Sequence, residues 1–185
     1  CYARPGHEFL GYSAGLDFET KILVKTDIAE LLTQDLTSPR WRPQTIGMCG
    51  VTDPYQPVEK RLGLTRQCLE ILHSCRNPVG IITKNQLITR DVDILAPMAA
   101  MNTAAVAISI TTLDAELART MEPRASSPAN RLRAIESLTD AGIPVSVMAA
   151  PMIPGLNDHE MPSILQKAAE AGAVAAGYIL LRMPY

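Results

Sequence analysis

Several residue types in this chain could do chemistry, and they recur just after short apolar runs. Thr52 and Asp53 follow "TIGMCGV" (45–51), with Glu59 a little further on. Lys84 and Asn85 follow "VGIIT" (79–83). Ser109 lies in "AAVAISIT" (104–111), before Thr112 and Asp114. "PMIPGLND" follows "PVSVMAA" (144–150), and Arg182 follows "VAAGYILL" (174–181). A carboxylate such as Asp53 can accept hydrogen bonds from an ammonium group. An amine such as Lys84 can pair with a carboxylate or serve as a Schiff-base nucleophile. Each residue also has an ordinary reading: Asp53 caps a turn, Lys84 is solvated, Ser109 relieves crowding and Arg182 pairs at the surface. His7, His73 and His159 are too scattered to suggest a metal triad. The four cysteines, Cys1, Cys49, Cys68 and Cys75, do not form a compact disulfide framework. Cys49, Cys68 and Cys75 read as small buried apolar residues.

The elements that must position these groups alternate regularly. The five apolar runs read as buried strands. Between them lie amphipathic helical patterns at 58–75, 88–101, 127–142 and 159–173. Pro97 predicts a kink or break in the second. Ser127 as N-cap, Pro128 in the first turn and Gly142 as the stop frame the third. "TKILVK" (20–25) and "DIAELLTQDL" (27–36) add a strand and a helix. "TSPRWRPQ" (37–44) reads as a surface loop. Such alternation implies parallel strands joined by right-handed crossovers. An open doubly wound sheet and a full or partial β/α barrel both fit. The strand–helix turns carry neither a dinucleotide glycine fingerprint nor a P-loop, and the barrel is preferred. In either case the site belongs at the carboxyl ends of the strands.

The length suits one domain with a real core, and the formal net charge of −2 gives no general attraction to nucleic acid or membrane. Aromatic residues make up 4%, which gives a nucleic-acid groove no positive support. No apolar run is long enough to span a bilayer, and no secretory leader is visible.

The ordered set "CYARPGHEFLGYSAGLDFETKILVK", "GVTDPYQPVEKRLGLTRQCLEIL", "IITKNQLITRD", "ISITTLD" and "EPRASSPANRLRAIESLTDAGIPVSVMAAPMIPGLND" resembles the radical S-adenosylmethionine (SAM) proteins. Within them it is most similar to the spore photoproduct lyase branch. The resemblance implies an α/β fold, a partial (β/α)6-type TIM barrel. It implies a 4Fe–4S cluster and SAM as cofactors, with three thiolates leaving one iron open for the nucleotide. Reductive cleavage of SAM then gives a 5′-deoxyadenosyl radical, which abstracts hydrogen from a substrate.

The family carries C-x-x-x-C-x-x-C, and Cys1 followed by Tyr2 matches its last cysteine and the aromatic after it. On this reading residues 1–185 are an incomplete core domain, truncated at both ends. Cys1 would be the metal ligand. Tyr2, Thr52, Asp53, Lys84, Ser109, Arg124, Ile153 and Gly155 would be cofactor-binding: Thr52 and Asp53 at the SAM amino group, Lys84 and Ser109 at its carboxylate and ribose, Arg124 at the carboxylate, and Ile153 and Gly155 beside adenine. Strand alternation places Thr52 and Gly50 on one face and Cys49 on the other, which argues against a hydrogen-returning role for Cys49.

The resemblance further implies a cytoplasmic enzyme, an electron donor such as flavodoxin or ferredoxin, and a substrate that the residues do not name. A lyase or DNA-repair-like reaction is among those the chemistry admits. Two other readings stay open: an ordinary barrel aldolase or lyase with Lys84 as Schiff-base amine, and a non-catalytic binding domain derived from a barrel.

Overall fold

A computed structural model describes residues 3–182 of the chain. Two short helices, α1 (Pro5–Phe9) and α2 (Asp17–Thr20), precede α3 (Ile28–Thr37). Strand and helix then alternate: β1 (Ile46–Met48), α4 (Glu59–Leu62), α5 (Leu64–Ser74), β2 (Val79–Thr83), α6 (Val92–Ala100), β3 (Ala104–Ser109), α7 (Ala115–Met121), α8 (Pro128–Asp140), β4 (Val145–Met152), α9 (Met161–Glu170) and β5 (Ala175–Leu180). Short 3-10 turns lead into α6 (Gln86–Asp91) and α9 (Asp158–Glu160).

All five strands are parallel, and their order is β1-β2-β3-β4-β5. Sequential order without reversal is how a barrel wall is built; a doubly wound sheet reverses at a switch point. Among the described residues the sheet stays open between β1 and β5, so the wall is a partial barrel.

Alternation sorts the strand residues onto two faces. Val79, Ile81, Val106, Ile108, Val145 and Val147 are buried in one core with Leu69 and Leu72 of α5, Leu95 and Met98 of α6, Ile135 and Leu138 of α8, and Ile164 of α9. Each such side chain contributes about 1.5–3 kcal/mol by leaving water. The opposite face is uncharged and mixes small residues (Gly47, Gly80, Ala105, Ala107, Ser109, Ser146 and Gly177) with the larger Ile82, Met148 and Ile179.

The five apolar runs form strands, and the helices at 27–36 and 127–142 form too, but β5, expected to be buried, is exposed along nearly its whole length because no described strand or helix covers it. Ser127 Oγ accepts from Asn130 N at 3.3 Å, and Pro128 opens α8. Other expectations need correction. Residues 21–25 form no strand; Ile22, Leu23 and Val24 are exposed and outside the sheet. β-prone residues alone do not make a strand when no neighbour offers a ladder. The 58–75 pattern is two helices, because Gly63 takes a left-handed φ of 65° between α4 and α5. Helix α6 runs through Pro97, whose ring forfeits a bond only to Asp93 in the first turn. Cys68 is buried as expected, but Cys49 and Cys75 are exposed. Cys49 lies just past the end of β1, not inside the strand. Helix α7 has no counterpart in the apolar pattern; Asp114 caps it by accepting from Glu116 N and Leu117 N.

Candidate active site

The carboxyl ends of the parallel strands bring the polar residues together. Asp53, in the loop after β1, reaches β2. Its Oδ1 accepts from Tyr55 N at 2.8 Å and from Thr83 Oγ1 at 2.7 Å, while Oδ2 accepts from Lys84 N at 2.8 Å. The half-buried carboxylate therefore ties two strand ends together. Oδ2, with one donor among the described residues, has more acceptor capacity left than Oδ1. Thr52 is exposed, and its Oγ1 accepts from Gln56 Nε2 at 2.9 Å.

Lys84 projects from the end of β2 toward Glu122, with which its Nζ forms an ion pair. Glu122 Oε2 also accepts from Arg131 Nη2 at 2.6 Å and from Thr111 Oγ1 at 2.9 Å. Arg131 is 2% exposed, and its remaining donors go to backbone oxygens: Nη1 to Ser109 O at 2.9 Å and Nε to Ser126 O at 2.7 Å. Ser126 N in turn donates to Lys84 O at 3.1 Å. The ends of β2 and β3 and the start of α8 are thus locked around one buried carboxylate. Burial pushes the Glu122 carboxyl up, but the Lys84 ammonium and Arg131 guanidinium outweigh it and hold it below its ordinary value. Two cations meet one carboxylate here. Lys84, with its side chain 32% exposed, is the member that faces outward.

Ser109 is buried, shares the uncharged face of the sheet, and donates through Oγ to Ala150 O at 3.1 Å. The loop after β4 is organised by Asn157, which is fully buried. Its Oδ1 accepts from Ile153 N at 2.6 Å, and its Nδ2 donates to Thr111 O at 2.7 Å and to Pro151 O at 3.1 Å. Gly155 has φ 77°, and its N donates to Asp158 Oδ1 at 2.8 Å. Ile153 and Gly155 thereby belong to a loop pinned to the end of β3.

Arg124 does not join Lys84. It bonds the Glu19 carbonyl oxygen, and its Nη2 lies 3.8 Å from Glu19 Oε2. Glu19 also takes Arg4 Nη2 at 2.5 Å, so Arg124 straps the amino-terminal segment to the α7–α8 loop. Cys1 and Tyr2 lie outside the described residues.

Glu59, expected near the mouth, is buried and pairs with Arg90 at 2.9 Å. Arg90 also binds Asp91, which accepts from Arg66 at 3.0 Å and from the Tyr55 hydroxyl at 3.0 Å. Burial pushes the Tyr55 phenol up, and the Asp91 carboxylate adds to that. This second network fixes the loop carrying Thr52 and Asp53.

Cys49 corrects the strand-parity expectation. Its Sγ lies 3.6 Å from where a Cβ on Gly47 would sit, so both share the uncharged face, while Met48 packs toward the core. Gly50, at φ 106°, breaks the alternation before Thr52. Counting by twos across it fails.

Glu122, Arg131 and Asn157 were not among the residues singled out from sequence. Arg131 left a trace: it stands four and seven residues before Ile135 and Leu138, on the apolar side of α8. A charge at such a position needs a buried partner.

A family model described as the radical SAM superfamily matches residues 15–168. An uncharacterized protein of Mycobacterium tuberculosis is 37% identical over 175 residues, covering 94% of this chain and 52% of that protein. An uncharacterized protein of Methanocaldococcus jannaschii is 28% identical over 160 residues, covering 86% of this chain and 57% of that protein. The chain thus spans about half the length of these relatives. Among solved structures, spore photoproduct lyase with bound S-adenosylmethionine and dinucleoside spore photoproduct aligns over 100% of this chain and 53% of its own, with TM-score 0.65 and 16% identity. Streptococcus suis SuiB aligns over 89% of this chain and 35% of its own, with TM-score 0.63 and 14% identity. At such identities the likeness concerns the fold, an α/β barrel wall. On the family match and the mycobacterial identity together, this chain belongs to the radical SAM superfamily.

Proposed function

We propose that residues 1–185 are the core domain of a radical SAM enzyme that abstracts hydrogen from its substrate. The family's cofactors are a 4Fe–4S cluster and S-adenosylmethionine, and two of the similar structures hold the nucleotide. When bound, they supply reductive carbon–sulfur cleavage and a hydrogen-abstracting radical. The observation that carries the reading is the rim at the ends of β2 and β3. There an outward-facing ammonium, Lys84, belongs to a cluster of two cations and one carboxylate. Such a rim suits a ligand that brings a carboxylate of its own.

In this reading Lys84 binds the nucleotide's carboxylate, and Asp53 Oδ2 with Thr52 accepts from its ammonium. Ser109 stands at the ribose, and the pinned loop with Ile153 and Gly155 at adenine. Arg124, occupied by Glu19, is the weaker carboxylate partner. Cys1 contributes a thiolate to the cluster, with Tyr2 beside it. Among the described residues Cys49, Cys68 and Cys75 belong to no group of side chains that could hold a metal ion. The uncharged face of the sheet presents no competing charge beside the nucleotide. A Schiff-base role for Lys84 is disfavoured, because its amine is committed to Glu122 rather than enclosed in an apolar pocket.

No helix among the described residues is long and apolar enough to cross a membrane. We place the enzyme in the cytoplasm with flavodoxin or ferredoxin as reductant. A lyase-type reaction is proposed, with a base-containing substrate as its first trial, on the strength of the dinucleoside-bound neighbour alone. The test is anaerobic iron–sulfide reconstitution of the full-length protein, followed by SAM and dithionite. A brown 4Fe–4S protein that forms 5′-deoxyadenosine supports the function. A colourless, iron-free protein that leaves SAM intact contradicts it.

A further inference from the structure

We propose that Glu122 is a positioning residue: anchored by Arg131, it fixes the Lys84 ammonium for the nucleotide's carboxylate and limits how tightly that carboxylate is held. The proposal rests on the reading of Lys84 as the carboxylate's partner. Its support is a chain of constraint running outward from the core. Arg131, 2% exposed, is held by two backbone oxygens, Ser109 O at 2.9 Å and Ser126 O at 2.7 Å. It holds Glu122 Oε2 at 2.6 Å, with Thr111 Oγ1 on the same oxygen at 2.9 Å. The other oxygen, Oε1, is left for Lys84 Nζ.

A lysine head group on a four-carbon stem has many rotamers, and an ion pair to an immobile carboxylate selects among them. An ammonium has three donors, so Lys84 can keep Glu122 while accepting a second carboxylate. The cluster's extra cation favours that arrival, whereas the charge on Glu122 opposes it. Affinity is thereby given up for orientation. Glu122 touches neither nucleotide nor substrate in this scheme; it acts through Lys84.

The test compares wild-type, Glu122→Gln and Glu122→Asp forms of the full-length reconstituted protein. The readouts are SAM binding by calorimetry, the rate of 5′-deoxyadenosine formation under dithionite, iron content and thermal melting. Glu122→Gln removes the opposing charge and loosens the ammonium. SAM should bind as tightly as in wild type or more tightly, while cleavage slows by about tenfold or more. Glu122→Asp restores the charge without the reach, so its rate should fall between the two. A Glu122→Gln protein with the wild-type rate overturns the proposal. So does one whose binding and rate fall together with iron content and melting, because a merely structural residue behaves that way. If wild-type protein binds SAM but forms no 5′-deoxyadenosine, the reaction assigned above fails. Binding then decides this proposal by itself: weaker SAM binding by Glu122→Gln contradicts it, and equal or tighter binding supports it.

Discussion

Two partly buried charge clusters stand at the carboxyl ends of the strands, and they are built oppositely. Around Asp91, two guanidinium groups (Arg66 and Arg90) meet four carboxylates (Glu59, Glu70, Asp91 and Asp93), and the Tyr55 hydroxyl fills a remaining acceptor. Asp91 is fully buried, and the cluster has no cation to spare. Around Glu122, two cations meet one carboxylate, and one of the cations, Lys84, faces outward. The first cluster holds a loop in place and repels further anions. The second is arranged to receive one. Their different balance separates a scaffold from a binding site more clearly than the mere presence of charges at strand ends does.

The sharpest way to break the comparison is to remove the guanidinium from the cationic cluster. Arg131→Met strips Glu122 of its buried partner and leaves two backbone oxygens without a donor. It should cost about 4 kcal/mol in urea unfolding, whereas a loss under about 1 kcal/mol would show the cluster to be slack. On the other side, Tyr55→Phe should cost about 1–2 kcal/mol and weaken SAM binding far less than Lys84→Met does. Equal damage to binding would erase the distinction between scaffold and site.

Acid titration sharpens the same contrast. The Glu122 carboxyl sits below its ordinary value of 4.5 in the folded chain. Its contribution to stability is therefore present above that value and lost as pH falls from there through the lowered folded value. Melting followed across this window should drop in wild type, and Glu122→Gln should flatten part of the drop. A superimposable curve for the variant would contradict the assigned shift. The smallest effect on stability is expected at the outward-facing end. Lys84→Met should cost less than about 1 kcal/mol, since Arg131 and Thr111 still satisfy Glu122.

The elements were legible in the sequence wherever their signals were local. Apolar runs at 79–83 and 104–111 read as buried strands, and Ser127-Pro128 marks the start of α8. Lys84 and Asp53 were found because strand ends can be counted off along the chain. What escaped depends on pairing across long separations. "TKILVK" has strand-like residues, but no neighbouring strand takes it up. Arg124 is occupied by Glu19, 105 residues away, a pairing that no local pattern marks. Cys49 was put on the wrong face because a single glycine, Gly50, resets the count. Glu122 lies in a loop whose local sequence gives no hint that Lys84, 38 residues earlier, and Arg131 converge on it.

The central claim, that the cationic rim receives the nucleotide's carboxylate, is tested most directly by comparing SAM with decarboxylated SAM. Both are titrated into full-length reconstituted wild-type and Lys84→Met proteins. Wild type should favour SAM by at least about tenfold, the value of one charge-assisted contact, and Lys84→Met should lose that preference. If Lys84→Met discriminates between the two ligands as well as wild type does, the carboxylate is bound elsewhere and the account is wrong.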